Sequence, residues 1–391
     1  IYAADLDDYI DLRDPRDLEP QPASTAVRIF AGAGTIARLD AAGEEVLARD
    51  TARNIESFVG SDLDDVLHGR LAADDGFGVR IDGADGDDRL VSKGARFVRG
   101  GPGDDTLIAV IKGDDLESTN FDGGMGVDTL DLTRGDPRWS LRLEGAIGTR
   151  IEAFRINDRQ ALGADSESSD EDRPTRLLVG NVDDVEIVEL AGADDEVWMG
   201  GDEKMTVFGG AGDDRLLRDV ATDGTGEAVL YGGGGDDVLR LEELGRLYGN
   251  TGADELEVAT FARDVIARGG KGDDFVLLKR GVGVFRGDGG YDTLTLDPSS
   301  GQDTTTVDLG ARSIVAVGSS GRIEGEIGGF EQVIGADDGI ADRIVGRGNA
   351  GERLFGRSGD DVLEGRGEPD ELYGGTCNDR LAGGGGDDLL H

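Results

Sequence analysis

The stretch GRSGDDVLE-GRGEPDELY-GGTCNDRLA-GGGGDDLLH, residues 356–391, divides into four units of nine residues without remainder. Every unit has Asp at its sixth position and Leu at its eighth, namely Asp361, Asp370, Asp379 and Asp388, and Leu363, Leu372, Leu381 and Leu390. A glycine-rich turn with one carboxylate and one inward apolar residue cannot bury a core alone, so it must stack on copies of itself. The stretch therefore predicts a parallel β-solenoid.

Looser copies of the unit occur upstream. They begin at Gly60, Gly83, Gly100, Gly123, Leu190, Gly209, Gly232, Gly249, Gly269 and Gly287. Within each run the starts are 17 to 23 residues apart, which predicts coils with an acidic turn on one edge only. In the final four nonamers the acidic turns alternate, so both edges there are expected to carry them.

These units resemble the RTX (repeats-in-toxin) family, whose nonapeptide GGxGxDxUx is a calcium-binding repeat. The resemblance covers most of residues 55–391 and implies an all-β, right-handed parallel β-roll or β-helix solenoid with calcium-binding turns. It places the sixth-position Asp on the ion, with carbonyl groups of the glycine-rich loop completing the shell. The ligand residues so implied are Asp65, Asp88, Asp105, Asp128, Asp195, Asp214, Asp237, Asp254, Asp274, Asp292, Asp361, Asp370, Asp379 and Asp388, with Gly100, Gly209, Gly232, Gly269, Gly356 and Gly374.

Electrostatics supports a bound cation. Equivalent residues of neighbouring coils lie about 4.8 Å apart, so each stacked carboxylate pair repels by about 3 to 4 kcal/mol at an effective dielectric constant of about 20. Over a column this repulsion rivals the stability of a whole domain, about 5 to 15 kcal/mol. A divalent cation between coils reverses the sign. With each ion shared by adjacent coils, the sequence predicts roughly ten Ca²⁺ ions.

Carboxylates at the fifth position form a second candidate set, as ligands or as solvated surface groups. They are Asp64, Asp87, Asp104, Asp194, Asp213, Asp236, Asp273, Asp360 and Asp387.

Composition argues against several other classes of function. A net charge of -43 disfavours nucleic acid and anionic membranes as partners, and no apolar run approaches the length of a membrane span. Two His and one Cys disfavour zinc, iron and thiol chemistry, whereas abundant carboxylates suit Ca²⁺. Neither HExxH nor GxSxG occurs, so the chain is predicted not to be an enzyme.

Longer segments separate the repeat blocks. The predicted organisation is a linker or cap (1–22), a first β-roll block (23–130), inserted strands with an acidic loop (131–182), a second block (183–295), inserted strands (296–335) and a C-terminal β-roll (336–391). Three similar phrases, starting at Asn54, Arg150 and Gly329, are expected to connect the blocks. Phe208, Tyr231 and Tyr248 each precede a turn glycine and are expected to stack as a ladder, with a sugar-binding strip as the alternative.

The sequence favours a secreted or cell-surface calcium-binding protein with a structural role, in a surface layer, filament or adhesin. Its expected partners are copies of itself or other cell-surface components. The first alternative is a β-helical polysaccharide-processing enzyme, such as a lyase or epimerase, or the calcium module of a secreted enzyme. The second is the repeat domain of a secreted toxin. The termini suggest a fragment or a processed product.

Overall fold

The computed structural model describes residues 9–11, 27–30, 35–39, 46–51, 57–69, 79–92, 95–110, 119–133, 139–145, 149–155, 176–183, 185–190, 192, 194–199, 204–218, 226–297, 302–318, 321–337 and 339–391. These residues form strands, turns and loops and contain no helix, which confirms the predicted all-β class. The chain divides into two compact units, residues 1–197 and 198–391. Accordingly, the described residues offer no helical segment with the length and hydropathy of a membrane crossing.

The first seventeen described strands are β1 (Tyr9–Asp11), β2 (Val27–Phe30), β3 (Thr35–Leu39), β4 (Val46–Thr51), β5 (Ser57–Val59), β6 (Val66–His68), β7 (Val79–Asp82), β8 (Arg89–Val91), β9 (Ala95–Pro102), β10 (Thr106–Ile108), β11 (Asn120–Met125), β12 (Thr129–Asp131), β13 (Trp139–Gly145), β14 (Thr149–Arg155), β15 (Arg176–Asp183), β16 (Ile187–Glu189) and β17 (Glu196–Met199).

Two stacks of parallel strands build the first unit. Strands β5, β7, β9, β11 and β15 pair in that order in one stack. The other stack runs β2, β6, β8, β10, β12 and β16. Parallel register brings like positions together, so the core is a set of apolar columns. One of them consists of Leu67, Leu90, Leu107, Leu130 and Val188, each at most 1% exposed.

The remaining described strands are β18 (Met205–Ala211), β19 (Arg215–Arg218), β20 (Glu227–Gly234), β21 (Val238–Leu241), β22 (Leu244–Thr251), β23 (Glu255–Lys271), β24 (Phe275–Gly289), β25 (Thr293–Leu296), β26 (Gln302–Asp308), β27 (Ser313–Gly318), β28 (Gly321–Gly328), β29 (Gln332–Ile334), β30 (Asp342–Val345), β31 (Arg353–Ser358), β32 (Val362–Gly367), β33 (Glu371–Thr376), β34 (Arg380–Gly385) and β35 (Leu389–Leu390).

The second unit repeats this plan. Its longest strands, β23 and β24, each serve both stacks, with register shifts between Val258 and Val265 where the chain changes stack. Leu239, Leu256, Val276, Leu294, Val333, Leu354 and Leu372 form one continuous apolar column, and all are fully buried. Each strand thus contributes one or two apolar side chains to a core that no single coil could build.

Turn glycines allow the coils to stack closely. Gly252 has a φ of +139°, and a Cβ atom there would overlap the carbonyl oxygen of Gly235 on the adjacent coil. Both the left-handed backbone and the lack of space therefore require glycine.

Three antiparallel meanders interrupt the parallel stacks. They consist of β2, β3 and β4, of β13, β14 and β15, and of β26, β27 and β28. The phrase that begins at Arg150 does not connect blocks as expected, because Arg150–Phe154 lies in the middle strand β14. The segment that begins at Glu186, after the meander, returns the chain to the parallel stack, where β16 pairs with β12. The predicted acidic loop 165–172 and most of the predicted segment 1–22 lie outside the described residues.

Aromatic side chains stack along the second unit. The ring centroids of Phe208 and Tyr231 are 4.7 Å apart, and those of Tyr231 and Tyr248 are 4.8 Å apart, which confirms the predicted ladder. A second ladder of Phe355, Tyr373 and His391, spaced 4.6 Å, was not predicted. Both spacings equal the strand repeat.

Candidate metal centre

The sixth-position aspartates form an inner carboxylate ladder along the edge of the coils. The backbone N–H of one Asp donates to Oδ1 of the Asp on the next coil, as from Asp88 to Asp105 at 2.8 Å and from Asp254 to Asp274 at 2.9 Å. These hydrogen bonds connect four runs of Asp residues. The runs are Asp65, Asp88, Asp105 and Asp128; Asp214, Asp237, Asp254, Asp274 and Asp292; Asp342, Asp361 and Asp379; and Asp370 and Asp388.

Burial along this ladder is almost complete. Twelve predicted ligands, Asp65, Asp88, Asp105, Asp128, Asp195, Asp214, Asp237, Asp254, Asp274, Asp292, Asp361 and Asp370, are 0 to 2% exposed. Asp379 and Asp388 are half-buried. An anionic side chain this deeply buried is costly to leave without a compensating charge.

The second carboxylate oxygen, Oδ2, of the inner-ladder Asp residues is the atom best placed to bind a cation. Oδ2 of Asp88, Asp105, Asp128, Asp254, Asp274, Asp292 and Asp370 is buried without a hydrogen-bond partner. Such oxygens are rare in folded proteins, and each one is placed to accept a contact from a bound cation or water.

The first glycine of each turn shapes the space around this oxygen. A Cβ atom at Gly100 would overlap both Oδ2 of Asp105 and the carbonyl oxygen of Gly123 on the next coil. Both oxygens therefore face the same small space, which only glycine leaves open. The predicted residues Gly100, Gly209, Gly232, Gly269, Gly356 and Gly374 all occupy this first position against their own Asp Oδ2.

This donor set fits Ca²⁺, which takes six to eight oxygen ligands from carboxylates, carbonyls and water. Within the described residues, no group of three His, Cys, Asp or Glu side chains is placed to hold a metal. A calcium ion here would need backbone carbonyl groups in addition to carboxylates, as the sequence predicts. The ligand assignments themselves stay predictions.

Burial also changes the protonation of the ladder. Desolvation raises the pKa of Asp88 from its ordinary 3.8 to about 9, and that of Asp254 and Asp292 to about 7. For Asp105 and Asp274 the same cause raises the pKa to about 6. Neighbouring carboxylates add to the rise, and backbone N–H donors oppose it.

Fifth-position carboxylates form an outer ladder of opposite direction. Oδ1 of Asp87 accepts a hydrogen bond from the N–H of Asp104 on the next coil at 2.9 Å, and Oδ1 of Asp236 accepts one from Ala253 at 2.8 Å. Further rungs are accepted by Asp64, Asp104, Asp213, Asp273 and Asp360. These side chains therefore bind the backbone of the adjacent coil and are not only solvated. Their role as calcium ligands stays a prediction.

Four acidic residues of the inner ladder were missed by the sequence analysis. Glu186 accepts from the N–H of Asp128 at 2.8 Å, and Glu331 accepts from that of Asp292 at 3.0 Å. Glu352 and Asp342 donate their N–H groups to Asp370 and Asp361, each at 2.8 Å. Each precedes its strand by the pattern acid, any residue, apolar residue, which was the available signal.

We predict that Asp274→Asn weakens calcium binding far more than Asp273→Asn. Both changes remove one charge and keep the Oδ1 acceptor, but only Asp274 carries the buried Oδ2 without a partner. Isothermal titration calorimetry should show about one site fewer, or roughly tenfold weaker binding at that level, for the Asp274 variant. Equal losses for both variants would contradict the assignment.

We also predict that acid stabilises the folded protein when calcium is chelated. Because folding raises these pKa values, the folded state binds more protons than the unfolded state between the ordinary pKa of 3.8 and the folded values of about 6 to 9. The free energy of unfolding in chelator should therefore fall as pH rises through this range. Far-ultraviolet circular dichroism in chelator measures the folded fraction, which should be higher at acidic than at neutral pH, and a folded fraction that rises with pH would contradict the prediction.

Comparison with known families agrees with this geometry. The profile of the RTX calcium-binding nonapeptide repeat matches four copies, over residues 199–218, 217–243 and 355–390. A search of curated proteins found no match. The matched residues include Asp214, Asp237 and Asp361, which lie in the inner ladder. The chain therefore contains RTX calcium-binding nonapeptide repeats, which fold as a parallel β-roll.

Proposed function

We propose that this protein is an extracellular structural protein whose β-roll folds on binding external calcium. The observation that carries the proposal is the row of buried Asp Oδ2 atoms without hydrogen-bond partners. Folding places these carboxylates together and out of water, and an unfolded chain offers no such site. Binding and folding are then one equilibrium.

Calcium concentration supports an extracellular location. Extracellular calcium modules bind with dissociation constants of about 10⁻⁴ to 10⁻³ M. Shared oxygen sites of this kind fill outside the cell, and the high net charge of -43 opposes compaction where calcium is scarce. The chain would stay unfolded during synthesis and fold after export.

The repetitive architecture supports the structural role that we propose. Every coil presents nearly the same backbone register to the next, so a coil of another copy fits the same arrangement. Copies of the chain, or other components of the cell surface, are the partners we propose. A surface layer, filament or adhesin would use this property directly.

We predict that calcium converts the whole chain from a largely unfolded to a strand-rich state. Far-ultraviolet circular dichroism should report this conversion in millimolar calcium and its reversal by chelator, with magnesium as the control cation. Electron microscopy of the calcium-loaded sample should show ordered assemblies. Identical strand content in calcium and chelator would contradict calcium-linked folding, and monodisperse single chains would contradict self-assembly.

One cavity favours a second candidate function, binding of an acidic polysaccharide. It has a volume of about 510 Å³ and is lined by Arg240, Glu242, Glu243, Leu244, Ala259, Thr260, Phe261, Ala262, Lys279, Arg280 and Asp297. The guanidinium of Arg280 stacks on the ring of Phe261 at 4.5 Å, and that ring is 74% exposed. Nε of Arg280 is buried without a hydrogen-bond partner.

Lys279 and Glu243, two other charged residues that line the cavity, are already paired. Lys279 contacts Glu257 at 2.9 Å, and Glu243 contacts Arg218 at 3.1 Å in a fully buried ion pair. Arg280 therefore offers a guanidinium beside an exposed aromatic ring, a combination that suits a carboxylated sugar.

We predict that Arg280→Gln abolishes any binding of hyaluronan oligosaccharides, whereas Arg322→Gln leaves it unchanged. Arg322 is a matched control because it pairs with Glu324 on an exposed part of β28. Calorimetry in calcium, with a neutral maltose oligosaccharide as the control ligand, measures this. Failure of the unmodified chain to bind hyaluronan would remove the second candidate.

A further inference from the structure

We propose that Arg347 is a built-in cation that replaces one calcium ion in the inner ladder, between the coils of Glu331 and Glu352. The proposal rests on the proposed calcium function of the ladder. A level here means the space between two successive ladder acids. At this level the positive charge is the guanidinium of Arg347, whereas the neighbouring levels need a bound ion.

Glu352 occupies the position that Asp holds on other coils. Its carboxylate is completely buried, and its N–H donates to Oδ1 of Asp370 as a ladder Asp would. A Cβ atom at Gly346 would overlap Oε2 of Glu352 and the carbonyl oxygen of Gly365, just as one at Gly100 meets the equivalent atoms. Gly346 and Glu352 are therefore the first glycine and the ladder acid of an altered turn.

Glu331 is the ladder acid of the coil below. It accepts from the N–H of Asp292, and its strand β29 pairs directly with β31, which follows Glu352. The backbone oxygen of Glu331 also accepts the N–H of Arg353 at 2.9 Å. The two glutamates are thus consecutive members of one column.

Arg347 joins these two carboxylates. Its guanidinium lies 2.7 Å from Oε1 of Glu352 through Nε, and 3.1 Å from Oε1 of Glu331 through the terminal nitrogen NH2. Its backbone N–H reaches Oε2 of Glu352 at 3.4 Å. Oε2 of Glu331 accepts the hydrogen bond from the N–H of Asp292. All four carboxylate oxygens of Glu331 and Glu352 therefore accept a hydrogen bond.

The contrast with adjacent levels carries the inference. Oδ2 of Asp254, Asp274 and Asp292 below, and of Asp370 above, is buried without a partner. At the Glu331 and Glu352 level, by contrast, a guanidinium contacts Oε1 of each carboxylate. One positive charge shared by two carboxylates meets the same need that Ca²⁺ meets elsewhere, although it neutralises less.

Fold topology explains why an arginine is used here. The third meander places β27 and β26 between β28 and β30 in one stack, whereas β29 and β31 are adjacent in the other. The turns after β28 and β30 therefore diverge on one side. The turn 346–352 has seven residues, and Glu replaces Asp in both coils, so both the turn and the acidic side chains are longer than in a regular repeat. The long side chain of Arg347 can then span a gap between the two turns that is too wide for one ion.

Calcium counting tests this inference. Native mass spectrometry and equilibrium dialysis of the full chain in calcium should give about one more ion per chain for Arg347→Gln, because the freed Oε1 atoms of Glu331 and Glu352 then need a cation. Arg347→Lys keeps the charge and should add none. Arg343→Gln is the matched control, since Arg343 pairs with Glu364 on an exposed surface and lies outside the ladder.

Stability at limiting calcium provides a second readout. At the lowest calcium concentration that folds the unmodified chain, Arg347→Gln should lower the urea midpoint more than Arg343→Gln does, and saturating calcium should reduce that difference. An unchanged ion count for Arg347→Gln, or equal destabilisation at limiting and saturating calcium, would overturn the inference. If the unmodified chain binds no calcium at all, the proposed function fails instead, which is a different outcome.

Discussion

The structure depends on a conflict between geometry and charge. Parallel stacking brings identical positions of successive coils to the strand spacing, so every conserved feature of the turn becomes a column. For leucine the column is a core, and for phenylalanine and tyrosine it is a ladder of rings. For aspartate it is a row of buried like charges that raises the pKa values of its members. RTX repeats bind calcium, and a cation bound along this row would offset the repulsion between its carboxylates.

Two hydrogen-bonded ladders hold the turns in register before any ion is considered. The inner ladder uses the sixth-position carboxylates, and the outer one uses the fifth. In both ladders, one carboxylate oxygen of the Asp accepts a hydrogen bond from a backbone N–H of a neighbouring coil. In the inner ladder the other oxygen is left facing the glycine of its own turn. Stacking therefore uses one oxygen of each side chain, Oδ1, and leaves the other, Oδ2, available to a cation.

Much of this was predictable from the sequence, because the repeat specifies the core column and the acidic column together. The columns of sixth-position Asp and of Phe208, Tyr231 and Tyr248 followed from the repeat spacing, whereas the ligand roles of the Asp and the turn glycines were implied by the family resemblance. Glu331, Asp342 and Glu352 did not, because their turns differ in length from the six-residue consensus and two of them carry Glu. Their places are set by meanders whose antiparallel pairing is a tertiary property. The role of Arg347 likewise depends on strands that are distant in sequence.

The opposite directions of the two ladders give the coil stack a chemical polarity. At a cut within a run of regular repeats, such as that of residues 232–292, the face towards the N-terminus ends in an inner N–H donor and an outer Asp oxygen acceptor. The opposing face ends in an inner acceptor and an outer donor. Two unlike faces therefore match at both points, whereas two like faces set donor against donor and acceptor against acceptor. If such stacks were joined end to end, this polarity would favour head-to-tail order, which gives open, directional polymers, over closed two-fold pairs.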